Sequence, residues 1–149
     1  MDIITVNVGQ GSLAIVRHGQ EALIIDARIP PVGDETVAYV KGTLAAFLKG
    51  YFVRGLILTG FDEDHSDATG VALILRKYRP AWVMYPKYYK DSEQAKNVFK
   101  IIEQEEKISY SEELRNKPAL ILKHQHKILQ TPQLDYAYIS ALNVKYQVK

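Results

Sequence analysis

The densest set of chemically capable side chains lies in one short stretch, Thr59-Gly60-Phe61-Asp62-Glu63-Asp64-His65-Ser66-Asp67. Asp62, Glu63, Asp64 and Asp67 place four carboxylates beside one imidazole within six residues. Such a group repels itself unless a cation neutralises it. Carboxylate oxygens with one ring nitrogen suit Mg, Mn or Zn. The stretch follows an apolar run and precedes a helical pattern, which is where α/β proteins place active-site loops. The plainer reading is an acidic helix start: Ser66 or Asp67 caps the helix, and the negative charge favours the positive end of its dipole.

Three other places invite chemistry. His124 and His126 stand two apart in a β-like run, so they share a face as a metal pair would. Lys123 and Lys127 flank them, and an exposed hairpin face explains them as well. Tyr85, Tyr88 and Tyr89 with Lys87 and Lys90 form an aromatic-basic run that could stack bases and meet phosphates. An amphipathic surface loop is the ordinary account of that run. Gly9-Gln10-Gly11 could turn backbone amides toward an anion, although a tight turn alone explains the glycines. His18 reads as a solvated turn residue.

The elements that must position the acidic stretch can be read from periodicity. Ile4, Val6 and Val8 alternate with polar residues as a half-buried strand does. Residues 13–17 and 22–26 form two apolar runs around a polar turn, which reads as a hairpin. Residues 29–33 hold Pro30-Pro31 and Gly33 and form a loop. A helix starts at Asp34, with Val37, Val40, Leu44, Phe47 and Leu48 on one face and Gly50 as its stop. Residues 55–59 make a short buried strand running into the acidic turn. A second helix carries Val71, Ile74, Leu75 and Tyr78, and Pro80 ends it. Residues 82–85 are a strand and 91–107 a third helix, whose stripe is Ala95, Val98, Phe99 and Ile102. Residues 109–118 are polar and read as a loop. Strand signals return at 119–129 and 134–139, and 143–149 forms a last strand or trails off. This order defines a mixed α/β sheet, with hairpins first and βα units in the middle.

Three of these segments share a likeness. Leu56-Ile57-Leu58-Thr59-Gly60-Phe61-Asp62-Glu63-Asp64-His65 resembles the strand and loop of the metallo-β-lactamase superfamily, whose signature is T-H-x-H-x-D-H. Val6-Asn7-Val8-Gly9-Gln10-Gly11-Ser12 resembles D-V-G-Q-G-D of the ComEC-like branch, a branch thought to act on nucleic acid, and Leu23-Ile24-Ile25-Asp26-Ala27 resembles its L-I-D-A-G strand. The likeness covers roughly the first 85 residues in order. It implies an αββα sandwich, truncated or half-complete in this chain of 149 residues read as one domain. It implies metal ligands at Asp62, Asp64 and His65, with Asp64 also orienting an attacking water and Asp26 and Asp67 as supporting groups.

The departures from that pattern bear on activity. Gly60 stands where the family has its first metal-binding His, Ser12 stands for an Asp, and Arg28 for the Gly after the L-I-D-A strand. Asp67 and Ala68 replace a glycine pair. The family's third His, bridging Asp and final His come from a second half beyond the strands seen here. The expectation is therefore a hydrolase-type domain for phosphodiester or other ester-like bonds, holding one divalent ion (Zn, Mn or Mg) or none. Its alternative is an inactive scaffold or interaction module, or a fragment of a longer enzyme. A half-complete sandwich leaves an apolar sheet face that a protein partner or a second copy would cover.

Composition fits either reading. The chain is 47% hydrophobic and carries a net charge of +2, which neither favours nor excludes an anionic partner. It has no cysteine, so disulfides, thiolate metal sites and cysteine nucleophiles are excluded. The first residues lack a basic leader, and no apolar run is long enough to span a bilayer; the expected location is the cytoplasm.

Overall fold

The computed structural model describes residues 1–30, 33–86, 91–116, 125–131 and 134–140, with side chains described as far as residue 105. The elements are β1 (Asp2–Thr5), β2 (Ala14–His18), β3 (Glu21–Ile25), α1 (Asp34–Leu48), β4 (Phe52–Ile57), α2 (Ala68–Tyr78), β5 (Trp82–Pro86), α3 (Glu93–Asn116), β6 (Gln125–Thr131) and β7 (Leu134–Ser140). Among the described residues the strands form one sheet in the order β1-β2-β3-β4-β5-β7-β6. β1, β2 and β3 pair antiparallel. β3, β4 and β5 run parallel, as α1 and α2 carry the chain back between them. β7 pairs antiparallel to β5, and β6 to β7. This is the expected mixed α/β layout.

One cluster of buried side chains holds the layers together. It takes Ile15, Ala22, Ile24, Val53, Leu56 and Val83 from the strands. The helices add Val40, Leu44 and Leu48 from α1, Val71, Ile74 and Leu75 from α2, and Ala95, Val98 and Ile102 from α3. Side chains two apart on a strand share a face, and the register sets Ile15 beside Ile24 and Ile24 beside Leu56. All three helices therefore cover the same face of the sheet. Each buried branched side chain contributes about 1.5–3 kcal/mol.

Several boundaries differ from the sequence reading. Pairing of β1 ends at Thr5, not Val8, although Val6 and Val8 are buried and the Val6 amide still donates to Leu13 O (2.9 Å). Apolar alternation reports burial, and burial here outlasts the ladder because Gly9 turns the chain away (φ 73°). β4 begins at Phe52, three residues earlier than read, and its pairing stops at Ile57 so that Thr59 is free to enter the loop. The polar residues 109–116 continue α3 rather than forming a loop. Glu112, Glu113, Leu114 and Arg115 are good helix formers, and no Pro or Gly intervenes before Pro118. Pro31 and Val32, residues 119–124 of the expected strand, and 143–149 lie outside the described residues.

Candidate functional site

The three segments of the family likeness come together at the carboxyl ends of β3 and β4. Backbone hydrogen bonds stitch them. Ser12 N donates to Asp64 O (2.8 Å), Ala27 N to His65 O (2.7 Å), Arg28 N to Ser12 O (3.2 Å) and Asp26 N to Ile57 O (2.7 Å). Gly11 belongs to this seam. A Cβ there would stand 2.6 Å from Asp64 O and 2.6 Å from the Arg28 side chain, at a φ of 130° that only glycine takes readily. Close approach, more than the turn, accounts for this glycine.

Asp26 is the hub of the site. It is 2% exposed and sits in the left-handed region at φ 59°, which Asp tolerates better than most residues. Its Oδ1 accepts from Thr59 N (2.7 Å), and the Thr59 hydroxyl lies 2.8 Å from both carboxylate oxygens. His65 Nδ1 lies 3.1 Å from Asp26 Oδ2 and 3.0 Å from Thr59 Oγ1. A proton on Nδ1 satisfies Asp26, which leaves Nε2 pointing the other way, 3.9 Å from Asp64 Oδ2. The hydrogen bond that His65 donates to Asp26 raises the His65 pKa above its ordinary 6.5; burial opposes the rise, and the charges of Asp26, Asp64 and Asp62 add to it.

The other acidic groups divide by environment. Asp67 caps α2: its Oδ2 accepts from Gly70 N at 2.8 Å. Burial pushes its pKa up, against the pull of the Gly70 and Thr69 amides and of Arg28. The helix-cap reading of this residue is therefore correct. Glu63 meets Arg28, whose Nη1 lies 2.7 Å from Glu63 Oε1 and 3.2 Å from its carbonyl. Asp62 is exposed, and its carbonyl accepts from the amides of His65 and Ser66 (2.9 Å each), closing the loop as a single helical turn. Among the described residues no three His, Asp or Glu side chains gather as metal ligands would. Asp62, Asp64 and His65 are neighbours in sequence without forming a ligand set; Asp26 backs His65 at Nδ1, as a supporting group would, while Asp67 is turned to the cap of α2. The donor set does not fit the ion that the family likeness implies.

Two residues matter here that the motif did not single out. Phe61, inside the acidic stretch, is fully buried; its ring centre lies 4.8 Å from that of Phe99 and 6.0 Å from that of Tyr85, both in tilted contacts. It anchors the loop into the core beneath α3, and Gln94 Nε2 adds a bond to Ser66 O at 2.6 Å. Arg28, standing where the likeness expects glycine, supplies the loop's positive charge. Among the remaining candidates, Tyr85 turns inward to Phe61 and Phe99. Lys87, Tyr88, Tyr89, Lys90 and His124 lie outside the described residues, and His126 is placed only as a backbone position in β6. An open cleft of about 600 Å³ on the helix layer, lined in part by Lys41, Leu73, Arg76 and Ile101, includes none of Asp62, Asp64 and His65.

The molecule is an α/β protein, with a mixed sheet and three helices among its described residues. Among its described residues no helix is long and apolar enough to cross a membrane. Comparison with protein-family models, with curated proteins and with solved structures finds no match.

Proposed function

We propose that this chain is a non-catalytic scaffold or interaction module with a half metallo-β-lactamase-like fold, its motif loop closed on its own side chains instead of on a metal. One observation carries the reading: the Arg28 guanidinium stands where a glycine is expected and bonds Glu63 at 2.7 Å across the seam between two loops. A cluster of carboxylates needs a counter-charge to be stable. Arg28 provides one from within the chain, and the carboxylates around His65 raise its pKa toward the charged form. Asp67 is spent on the helix cap, so part of the loop's acidic charge is met from within the chain.

The test is metal titration followed by calorimetry, with zinc and with manganese, alongside thermal melts with and without chelator. The expected result is no saturable uptake and an unchanged melting temperature. Stoichiometric binding that disappears in Asp64→Ala would overturn the proposal. That outcome would favour the second reading, a metal-dependent hydrolase for phosphodiester or other ester-like bonds. The second reading draws on one feature, His65 backed by Asp26 on Nδ1 with Nε2 turned toward Asp64.

A further inference from the structure

The helix layer carries an open cleft of about 600 Å³ that includes none of the motif-loop residues 59–67. It runs along α2 from residue 68 to residue 77, with Lys41 of α1 and Ile101 of α3 also lining it. Ala72, Leu73 and Ile101 are half-buried there and give it an apolar floor. Lys41, Arg76 and Lys77 are exposed at the same cleft and bring positive charge to it. Arg76 is met by Glu105, at 2.7 Å. Lys41 and Lys77 are not met in this way. Among the described residues neither forms an ion pair. No acidic residue stands three or four positions from either on its own helix. Lys77 Nζ lies instead 5.4 Å from the centre of the uncharged Tyr78 ring. The cleft thus joins an apolar floor to two uncompensated positive charges.

We infer that this cleft docks an acidic amphipathic segment of a partner protein, with apolar side chains against Leu73 and Ile101 and carboxylates beside Lys41 and Lys77. Charge selects this occupant. The chain's own segments outside the described residues bring the wrong sign: 87–90 holds Lys87 and Lys90, 117–124 holds Lys117 and Lys123, and 141–149 holds Lys145 and Lys149, with no acidic residue in any of them. Two copies set cleft to cleft would likewise face positive charge with positive charge. An inorganic anion has no apolar group for the floor. Nucleic acid brings phosphates, but none of the lining residues is aromatic, so its bases find nothing to stack on. A membrane surface fails on shape, because a recessed apolar floor cannot enter a bilayer as a protruding helix face does. Residues 68–77 of α2 span about 14 Å. That length suits two to three turns of a docked helix with apolar groups at i, i+3 or i+4, and i+7. Docking of this kind rests on the interaction-module reading. The two fail separately, since metal titration reports on the loop and the experiment below on the cleft.

Fluorescence anisotropy on the full chain tests this with a labelled synthetic peptide of about three helical turns, leucines at i, i+4 and i+7 and glutamates flanking them. The expected result is saturable one-to-one binding that weakens as salt rises. Lys41→Glu combined with Lys77→Glu weakens it by about tenfold or more. Leu73→Gln, which leaves the charge unchanged, weakens it by roughly fivefold. Lys49→Glu combined with Lys100→Glu makes the same change in net charge outside the cleft, and binding changes by less than about threefold. All four lysines are exposed, so the far-UV circular dichroism of these variants stays native. Absence of saturable binding overturns the inference, whether the cleft is filled by residues 117–124, by a second copy or by water. So does an equal loss in the variant changed at Lys49 and Lys100. Equally tight binding of a peptide with serine for leucine or lysine for glutamate, or of a single-stranded oligonucleotide, overturns it as well.

Discussion

At the scale of single residues the site turns on Asp26. Replacing it with alanine strips the Thr59 amide and hydroxyl and His65 Nδ1 of their acceptor and leaves an alanine at φ 59°. Hydrogen bonds to a charged group are worth about 1.5–3 kcal/mol, and a left-handed alanine costs about 1 kcal/mol more. Asp26→Ala is expected to lower stability by about 3 kcal/mol in urea denaturation, and Asp26→Asn by less, because Asn tolerates the backbone and keeps one acceptor. The raised pKa of His65 gives a second expectation. The folded state holds the proton more tightly than the unfolded chain, whose His titrates near 6.5. His65 therefore contributes its full stabilisation below that value and loses it as pH rises through the higher folded pKa. The effect is modest, because the ring is 39% exposed. The stability gap between the wild type and His65→Gln, followed by urea denaturation, should be wider near pH 5.5 than near pH 8.5. Asp67 shifts in the same direction, and because both proteins carry it, its contribution cancels in that comparison.

At the scale of elements the decisive contact is between α2 and the chain leaving β3. A Cβ on Gly70 would lie 1.7 Å from Ala27 O, a backbone atom. α2 has nowhere to retreat, because Val71 and Ile74 are fully buried and Asp67 fixes its first turn. Gly70→Ala is expected to cost at least about 3 kcal/mol by equilibrium unfolding. Gly42, also helical but on the exposed side of α1, would present its Cβ to open space; Gly42→Ala should stabilise by about 0.5–1 kcal/mol. This contrast shows where a sequence can be read and where it cannot. The periods of Val37 to Leu48 and Val71 to Tyr78 place both helices correctly, because a 3.6-residue repeat is local. The polarity of residues 109–116 misleads, because charge marks exposure and not irregularity. In the site, the Asp67 cap is legible from its position before an apolar helix. The roles of Arg28 and Phe61 are not, because each depends on a partner more than 30 residues away, and no spacing rule couples Arg28 to Glu63 or Phe61 to Phe99.

At the scale of the whole molecule the balance between the two sheet faces matters most. Among the described residues the helices cover one face, while Leu23, Ile57 and Trp82 on the other are half-buried and stand outside the core cluster. Burial of apolar area is worth about 25 cal/mol per Å², so the stability of the described sheet rests on the side that Ile15, Ile24 and Leu56 share with the helices.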